Sequence, residues 1–278
     1  MKRNLFAIAL VLGLFTALVV LPRFADAQDD LQQLSAVAEI SDPVSVFQSA
    51  GPTALSIQGS VDEYRAAVSE PNGRREINWD GGNPANEATA VVGNPFTGFQ
   101  VTRGALFTTP DGIGFIQAPA GTDVPPGGLA GFFNNPTYKT SFRAFSASRL
   151  FSAVGGKITD VTFFVPGGGG PATVNGFGSV FTDVDQPNGS GPARKRGNRN
   201  ASTLIEYYGT DGQLLFSSFV PASPGDGGFS FFGIVFPDAR IARVRITSGD
   251  VAPGPNDSEK EDVVMMDDFI FGEPRAIN

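Results

Sequence analysis

Two adjacent carboxylates, Asp267 and Asp268, interrupt the last apolar stretch of the chain, Val263 to Phe271. This stretch has the length and composition of a β-strand. Successive side chains of a strand point to opposite faces, so at least one carboxylate shares a face with apolar neighbours. Because an unpaired buried carboxylate costs free energy, this pair requires a partner, which is either a bound cation or a basic side chain.

Calcium is one candidate partner, because it binds carboxylate and carbonyl oxygens. Alternation places Asp267 and Asp268 on opposite faces, so both side chains reach one ion only if the strand carries a bulge. The expected metal site is therefore one carboxylate together with backbone carbonyls from another segment. The alternative is that one carboxylate is hydrated while the other pairs with Arg243 or Arg245, which requires no ion.

A second oxygen-rich group consists of Glu76, Asn78 and Asp80, which alternate along the chain. If residues 75–80 form a strand, these three project from one face and Trp79 projects from the other. The oxygen atoms of this row could bind Ca²⁺ or sugar hydroxyl groups. Trp79 is either a platform on which a sugar ring stacks or a core residue. A hydrolase pair of Glu76 and Asp80 is disfavoured, because one strand face seldom supplies two opposed carboxylates.

The chain contains no His and no Cys. Ser-His-Asp and Cys-His nucleophilic centres are therefore excluded, as are disulfides and the usual zinc and copper sites. Acid–base chemistry would have to use carboxylates, Lys or Tyr. These residues form no convincing catalytic set, so the sequence predicts a protein that is not an enzyme.

Residues 1–27 have the pattern of a signal peptide. Lys2 and Arg3 precede an apolar run from Leu5 to Leu21, and Ala25-Asp26-Ala27 supplies a small-x-small cleavage site. The alternative is an uncleaved membrane anchor, for which the run is short. We therefore expect a secreted or periplasmic protein with no membrane span after cleavage.

Acidic residues outnumber basic ones. Cleavage after residue 27 would remove three of the 20 Lys and Arg and one of the 28 Asp and Glu, which leaves 17 and 27 and a net charge of −10. Such a chain repels nucleic acid and anionic lipid. The only basic cluster, Arg194 to Arg196 with Arg199, is either a site for an acidic polysaccharide or another subunit, or a solvated loop.

Frequent turns and a Phe-rich core are indicated by 35 Gly, 21 Pro and 25 Phe residues. We expect a flexible lead-in over residues 28–74 with one short helix at 61–69, where a capping box precedes an apolar face. Residues 75–274 are predicted to form an all-β, jelly-roll β-sandwich of mostly antiparallel strands, followed by a tail at 275–278.

Local patterns predict two hairpins. The stronger joins residues 203–208 to 213–220 across a Gly-Thr-Asp-Gly turn, and the other joins 105–108 to 113–117. Residues 241–247 alternate between apolar and polar side chains, which indicates a strand with one buried and one hydrated face.

Four short motifs carry a resemblance to a known fold family. They are Gly176-Phe177-Gly178, Ile205-Glu206-Tyr207-Tyr208, Arg243-Val244-Arg245-Ile246 and Met266-Asp267-Asp268-Phe269. The chain from Ile158 onward resembles the galactose-binding-like jelly rolls of exported bacterial proteins and carbohydrate-binding modules. From Val61 onward it is also similar to a group of uncharacterised secreted bacterial proteins that carry the Glu76–Gly81 and Met-Asp-Asp-Phe elements. The resemblance implies export, a jelly roll and a structural Ca²⁺ held by an acidic residue of the closing strand.

Three functions are compatible with these patterns. The first is a non-catalytic, secreted module that binds a polysaccharide or cell-envelope glycan through Trp79, Glu76, Asn78 and Asp80. The second is a structural or matrix protein that associates with copies of itself. The third is a carboxylate-based glycan hydrolase or lyase, which the lack of His disfavours.

Overall fold

A computed structural model of the chain describes residues 43–81, 89–120, 128–185, 203–223, 225–256 and 261–277. The signal peptide predicted for residues 1–27 and the basic cluster at 194–199 lie outside these ranges. The described chain is mostly β-structure, and its sheets are antiparallel. Among the helices of these ranges, none combines the length and the apolar composition that crossing a membrane requires.

The elements of the described chain follow one another in a fixed order. They are β1 (Ser45–Gly51), α1 (Ala54–Ser69), β2 (Arg74–Ile77), β3 (Ala90–Gly93), α2 (Gln100–Arg103), β4 (Ala105–Thr108), β5 (Gly114–Pro119), α3 (Gly128–Phe133), α4 (Tyr138–Ser141), β6 (Arg149–Val154), β7 (Ile158–Phe163), β8 (Ala172–Thr173), β9 (Gly176–Thr182), β10 (Leu204–Tyr208), β11 (Leu214–Phe219), β12 (Phe229–Val235), β13 (Arg243–Thr247), β14 (Met265–Gly272) and β15 (Arg275–Ala276).

The strands form two main sheets. The larger has the order β1-β12-β9-β14-β6-β5-β3, and β2 pairs with the C-terminal half of β14. The smaller has the order β11-β10-β13-β7-β4, while β15 pairs with β8 in a separate two-stranded sheet. Strand β14 therefore lies inside the larger sheet, with β9 on one side and β6 and β2 on the other.

One hydrophobic core contains side chains from both main sheets, as in a β-sandwich. Phe107 and Val244 come from the smaller sheet, and Phe151 and Phe177 come from the larger one. All four are fully buried. Burial of a Phe side chain contributes roughly 2 kcal/mol, so the Phe-rich composition supplies much of the stability of this core.

Helix α1 covers the other face of the larger sheet. Its apolar face consists of Ile57, Val61, Tyr64 and Val68, which recur at helical spacing. These side chains pack on Val180, Phe231 and Ile270. In their strands these three residues alternate with core-facing neighbours, so the two clusters lie on opposite faces of one sheet.

Two facing glycines make room for the ring of Tyr64. A Cβ atom on Gly178 would lie 2.9 Å from Tyr64 Cε1, and one on Gly233 would lie 2.8 Å from Cε2. Both distances are shorter than real Cβ contacts, so neither position admits a side chain while the ring stays in place. The Tyr64 hydroxyl donates a hydrogen bond to the backbone oxygen of Ile270 at 3.3 Å.

The N-terminal part of the described chain is more ordered than the lead-in expected for residues 28–74. Strand β1 pairs with β12 along seven residues. The helix expected at 61–69 begins at Ala54 instead, because Ile57 extends the apolar face by one turn. At the other end, the expected tail at 275–278 contains β15, which pairs with β8.

One predicted hairpin is confirmed and the other is wrong. Strands β10 and β11 pair as antiparallel neighbours, and β13 buries Val244 and Ile246 while its arginines are half-buried. In contrast, β4 pairs with β7 in the smaller sheet, and β5 pairs with β3 and β6 in the larger. The turn between β4 and β5 connects the two sheets, and its Asp111 carboxylate accepts the backbone N–H groups of Lys157 and Ile158.

We expect Gly233→Ala to lower the free energy of unfolding by about 1–3 kcal/mol, because the new methyl group meets a fully buried ring. Gly59→Ala in α1 is the matched control, since no atom lies within 4 Å of its Cβ position. Removing this helix glycine should raise stability by up to about 1 kcal/mol. Denaturant unfolding monitors both variants, and equal stability of Gly233→Ala and wild type would contradict the packing described for Tyr64.

Candidate functional site

The three residues of the predicted oxygen-rich row lie in three different environments. Strand β2 ends at Ile77, and Trp79 has a left-handed backbone with a φ of 64°. This turn breaks the alternation on which the predicted row depended. Glu76 is half-buried, Asn78 is exposed and Asp80 is buried. The structure therefore does not bring Glu76, Asn78 and Asp80 together on one binding face.

Trp79 is a core residue. Its ring stacks on Phe151 with a centroid distance of 3.8 Å and an interplanar angle of 1°, and it meets the edge of Phe269 at 5.0 Å. The indole Nε1 donates a hydrogen bond to the backbone oxygen of Asp267 at 3.1 Å. Because the side chain is fully buried, it offers no face to a sugar ring, and the predicted stacking role does not fit the structure.

Asp80 fixes the start of β6 rather than facing solvent. Its Oδ1 accepts the backbone N–H groups of Ser148 at 2.5 Å and Arg149 at 2.8 Å. Burial raises the pKa of Asp80 above its ordinary value, although these two hydrogen bonds act in the opposite direction. A ligand would have to displace backbone donors to reach this carboxylate.

A bulge in β14 changes the geometry of the acidic pair. The register of β14 against β9 shifts between Met266 and Phe269, so strict alternation fails at this point. As a result, Asp267 and Asp268 both reach the same hydroxyl group. Ser146 Oγ lies 3.2 Å from Asp267 Oδ1 and 2.5 Å from Asp268 Oδ1.

Protein donors surround both carboxyl groups. Asp267 Oδ2 accepts the backbone N–H groups of Phe145 at 2.6 Å and Ser146 at 3.3 Å. Asp268 Oδ2 accepts a hydrogen bond from Arg65 Nη2 at 3.2 Å. Asp267 is fully buried and Asp268 is 2% exposed. The pair therefore connects α1, β14 and the segment before β6.

The pKa values of both members of the acidic pair are shifted upward. Burial raises the pKa of Asp267 well above its usual range, and the neighbouring charge of Asp268 raises it further. Burial also raises the pKa of Asp268, but hydrogen bonds from Ser146 and Asp267 and the charge of Arg65 oppose this effect. Asp267 is consequently the member of the pair that is more easily protonated.

The ion pair considered for this strand has a different partner from the one expected. Asp268 pairs with Arg65 of α1. Arg243 and Arg245 bind Asp160 of the adjacent strand β7, with Arg245 using two nitrogens at 2.8 and 2.7 Å. Arg243 and Arg245 lie in the smaller sheet, so the cross-strand neighbour is closer than the acidic pair of the larger sheet.

The calcium role of Asp267 and Asp268 stays a prediction. Within the described ranges, no three carboxylates are grouped so that they could hold a metal ion. An ion at the acidic pair would have to replace the N–H and O–H donors that its oxygens now accept. The geometry of the pair therefore fits a hydrogen-bonded structural unit.

The pKa of a further carboxyl group, that of Asp183, is strongly shifted. Burial raises the pKa of Asp183 to about 8, and the charges of Asp185, Asp262 and Asp226 add to this effect. Its Oδ1 accepts the backbone N–H of Gly227 at 3.3 Å, which acts in the opposite direction. At neutral pH Asp183 is therefore mostly protonated, which reduces its repulsion with these three charges.

A polar cleft of about 860 Å³ lies beside the β10–β11 turn. It is lined by residues 71–72, 209–211, 237–240 and 275–277 together with Thr173, Gln213 and Leu215. The side chains of Asn72, Thr210, Gln213 and Arg275 form no hydrogen bond or ion pair with other described residues. The cleft thus presents polar groups that are available to a ligand.

Comparison with protein-family models, with curated proteins and with solved structures finds no match to this chain.

We expect Asp267→Asn to keep the free energy of unfolding at pH 7 within about 1 kcal/mol of wild type, because Asn resembles the protonated carboxyl group. Asp267→Ala should cost about 2–4 kcal/mol, since it leaves two buried N–H groups without an acceptor. The protonated pair stabilises the fold at low pH, and this contribution is lost as pH rises through the raised pKa. Melting curves recorded at several pH values should show that Asp267→Asn does not lose this stability at high pH.

A calcium ion at the pair would give the opposite pattern. Asp267→Asn would then lose stability as Asp267→Ala does, and EGTA would lower the wild-type melting temperature until Ca²⁺ restored it. A melting curve that EGTA leaves unchanged would contradict the calcium prediction.

Asp183→Asn should stabilise the protein at pH 8 by at least about 1 kcal/mol, with solvent screening of this half-buried group taken into account. The folded-state pKa of Asp183 lies above the unfolded value, so its stabilising contribution is complete below about pH 4 and is lost as pH rises to about 8. The neutral Asn does not ionise over that range. Equal pH dependence of unfolding in the two proteins would contradict this assignment.

Proposed function

We propose that the mature protein is an exported, non-catalytic carbohydrate-binding protein whose glycan lies in the polar cleft. The observation that carries this proposal is the set of uncommitted polar side chains, Asn72, Thr210, Gln213 and Arg275, around one open cleft. Sugars bind through hydroxyl groups that need donors and acceptors at fixed positions. Amide, hydroxyl and guanidinium groups supply both kinds.

Apolar residues in the same cleft favour a sugar over a small ion as the ligand. Pro71, Leu215 and Pro237 line it together with the polar groups. They can pack against the C–H faces of a pyranose ring. The volume and open form of the cleft also suit one segment of a longer polysaccharide.

The carboxylates of the cleft support a binding role over hydrolysis. Asp238 is paired with Arg240, and Asp211 Oδ1 accepts the backbone N–H of Gln213 at 2.9 Å. A glycosidase needs two carboxyl groups opposed across the scissile bond. The buried acidic pair, Asp267 and Asp268, is not part of the cleft lining.

The finer fold and the location belong to the same proposal. We infer a jelly roll because the chain alternates between the two sheets, for example from β9 to β10 and from β12 through β13 to β14. Export rests on the signal-peptide pattern of residues 1–27.

Self-association is the second candidate function. Strand β11 is the outer strand of the smaller sheet in the described chain, and it exposes 47% of Leu214 and 40% of Phe219. An outer strand with exposed apolar side chains can pair with another chain. This feature favours a structural or matrix protein built from copies of itself.

We expect residues 28–278 to bind immobilised polysaccharides on a glycan array. The double variant Asn72→Ala, Gln213→Ala should weaken binding at least about tenfold, because each lost hydrogen bond costs about 1 kcal/mol. Gln48→Ala is the matched control, since Gln48 is exposed on β1 and lies outside the cleft. No glycan binding, together with association that increases with concentration in light scattering, would favour the structural function instead.

A further inference from the structure

Three arginines line a second, smaller pocket of about 560 Å³, which we call the arginine pocket. Its lining consists of Ser69, Gly73, Arg74, Arg75, Glu76 and Arg103. Three positive side chains therefore face one negative side chain, in a chain whose net charge is −8. Glu273, which pairs with Arg75, adds a second negative charge beside the pocket, so three positive and two negative groups leave a local excess of one positive charge, opposite in sign to the charge of the whole protein.

Two of the three guanidinium groups are held in place by ion pairs. Arg74 Nε donates to Glu76 Oε1 at 2.6 Å. Arg75 binds both carboxylate oxygens of Glu273, at 2.6 and 2.7 Å. In contrast, Arg103 forms no side-chain hydrogen bond or ion pair with other described residues. The pocket thus combines two positioned cations with one that is available.

Backbone geometry places Arg103 beside the other two arginines. Helix α2 ends at Arg103 because Gly104 follows in the left-handed region with a φ of 78°. Arg75 Nη1 lies 3.5 Å from the backbone oxygen of Thr102, which connects β2 to the end of this helix. A Cβ atom at Gly104 would collide with the backbone oxygen of Phe164, so only glycine fits this position.

The arginine pocket and the polar cleft share one turn. Pro71 and Asn72 line the cleft, and the next residue, Gly73, lines the pocket. Each side of this turn presents a guanidinium group without a partner in the described chain, Arg275 in the cleft and Arg103 in the pocket. The cleft and the pocket therefore adjoin at residues 71–73.

We propose that the arginine pocket binds the carboxylate of an acidic sugar, so that the glycan of the polar cleft is a polysaccharide containing uronic acid. This inference rests on the proposed carbohydrate-binding function. Guanidinium groups match a carboxylate through paired N–H donors, and pairs of this kind are stronger than neutral hydrogen bonds. The negative charge of the rest of the protein acts weakly here, because exposed charges are screened beyond about 8 Å at physiological salt.

The test compares oligogalacturonate with its neutral methyl ester by titration calorimetry on residues 28–278. We expect the acid form to bind at least about tenfold more tightly, which corresponds to one charge-assisted hydrogen-bond pair. Arg103→Ala should remove most of this preference and leave the affinity for the methyl ester unchanged. Arg103→Lys, which keeps the charge without the paired donors, should give an intermediate preference.

Lys139→Ala removes a positive charge from the exposed face of α4 and should change neither affinity. Because Arg103 is exposed, its replacement should leave the melting temperature unchanged. Equal affinity of wild type for the two forms would overturn the uronic-acid inference but not the carbohydrate-binding function. An acid preference that survives Arg103→Ala would have the same consequence. Binding of neither form would also overturn the inference, while the glycan array tests the carbohydrate-binding function separately.

Discussion

The buried acidic pair is the constraint on which the described structure depends. Two carboxyl groups inside a sheet are tolerated because a bulge turns them toward one hydroxyl, two backbone N–H groups and one guanidinium. None of these donor groups belongs to β14 itself. The groups that satisfy the buried pair therefore also position two other parts of the chain. Arg65 positions α1, and Ser146 positions the segment before β6.

The same network extends to the protein surface. Arg65 binds both Asp268 and Glu76, and Glu76 in turn holds Arg74 in the arginine pocket. A chain of alternating charges thus runs from the buried Asp268 to the arginine pocket at the surface. The position of the Arg74 guanidinium is consequently linked to the core, so less of its side-chain entropy would be lost if the pocket bound an anion.

Much of the local structure could be predicted from sequence, because it depends on patterns within a few residues. The β10–β11 hairpin and the alternation of β13 are of this kind. The bulge in β14, the pairing of β1 with β12 and the separation of β4 from β5 depend on contacts between distant residues. The prediction of an oxygen-rich row was wrong because β2 ends at Ile77, before Asn78 and Asp80. The polar cleft could not be predicted from local patterns, because the segments that line it are far apart in sequence.

The place of β14 in the larger sheet bears on how the chain folds. This strand lies between β9 and its neighbours β6 and β2, yet it is among the last elements along the described chain. Strands formed early therefore lack a central neighbour until the C-terminal segment has joined them. Such long-range pairing slows folding, because the entropy of closing a long loop is lost before the pairing of β14 can stabilise the sheet.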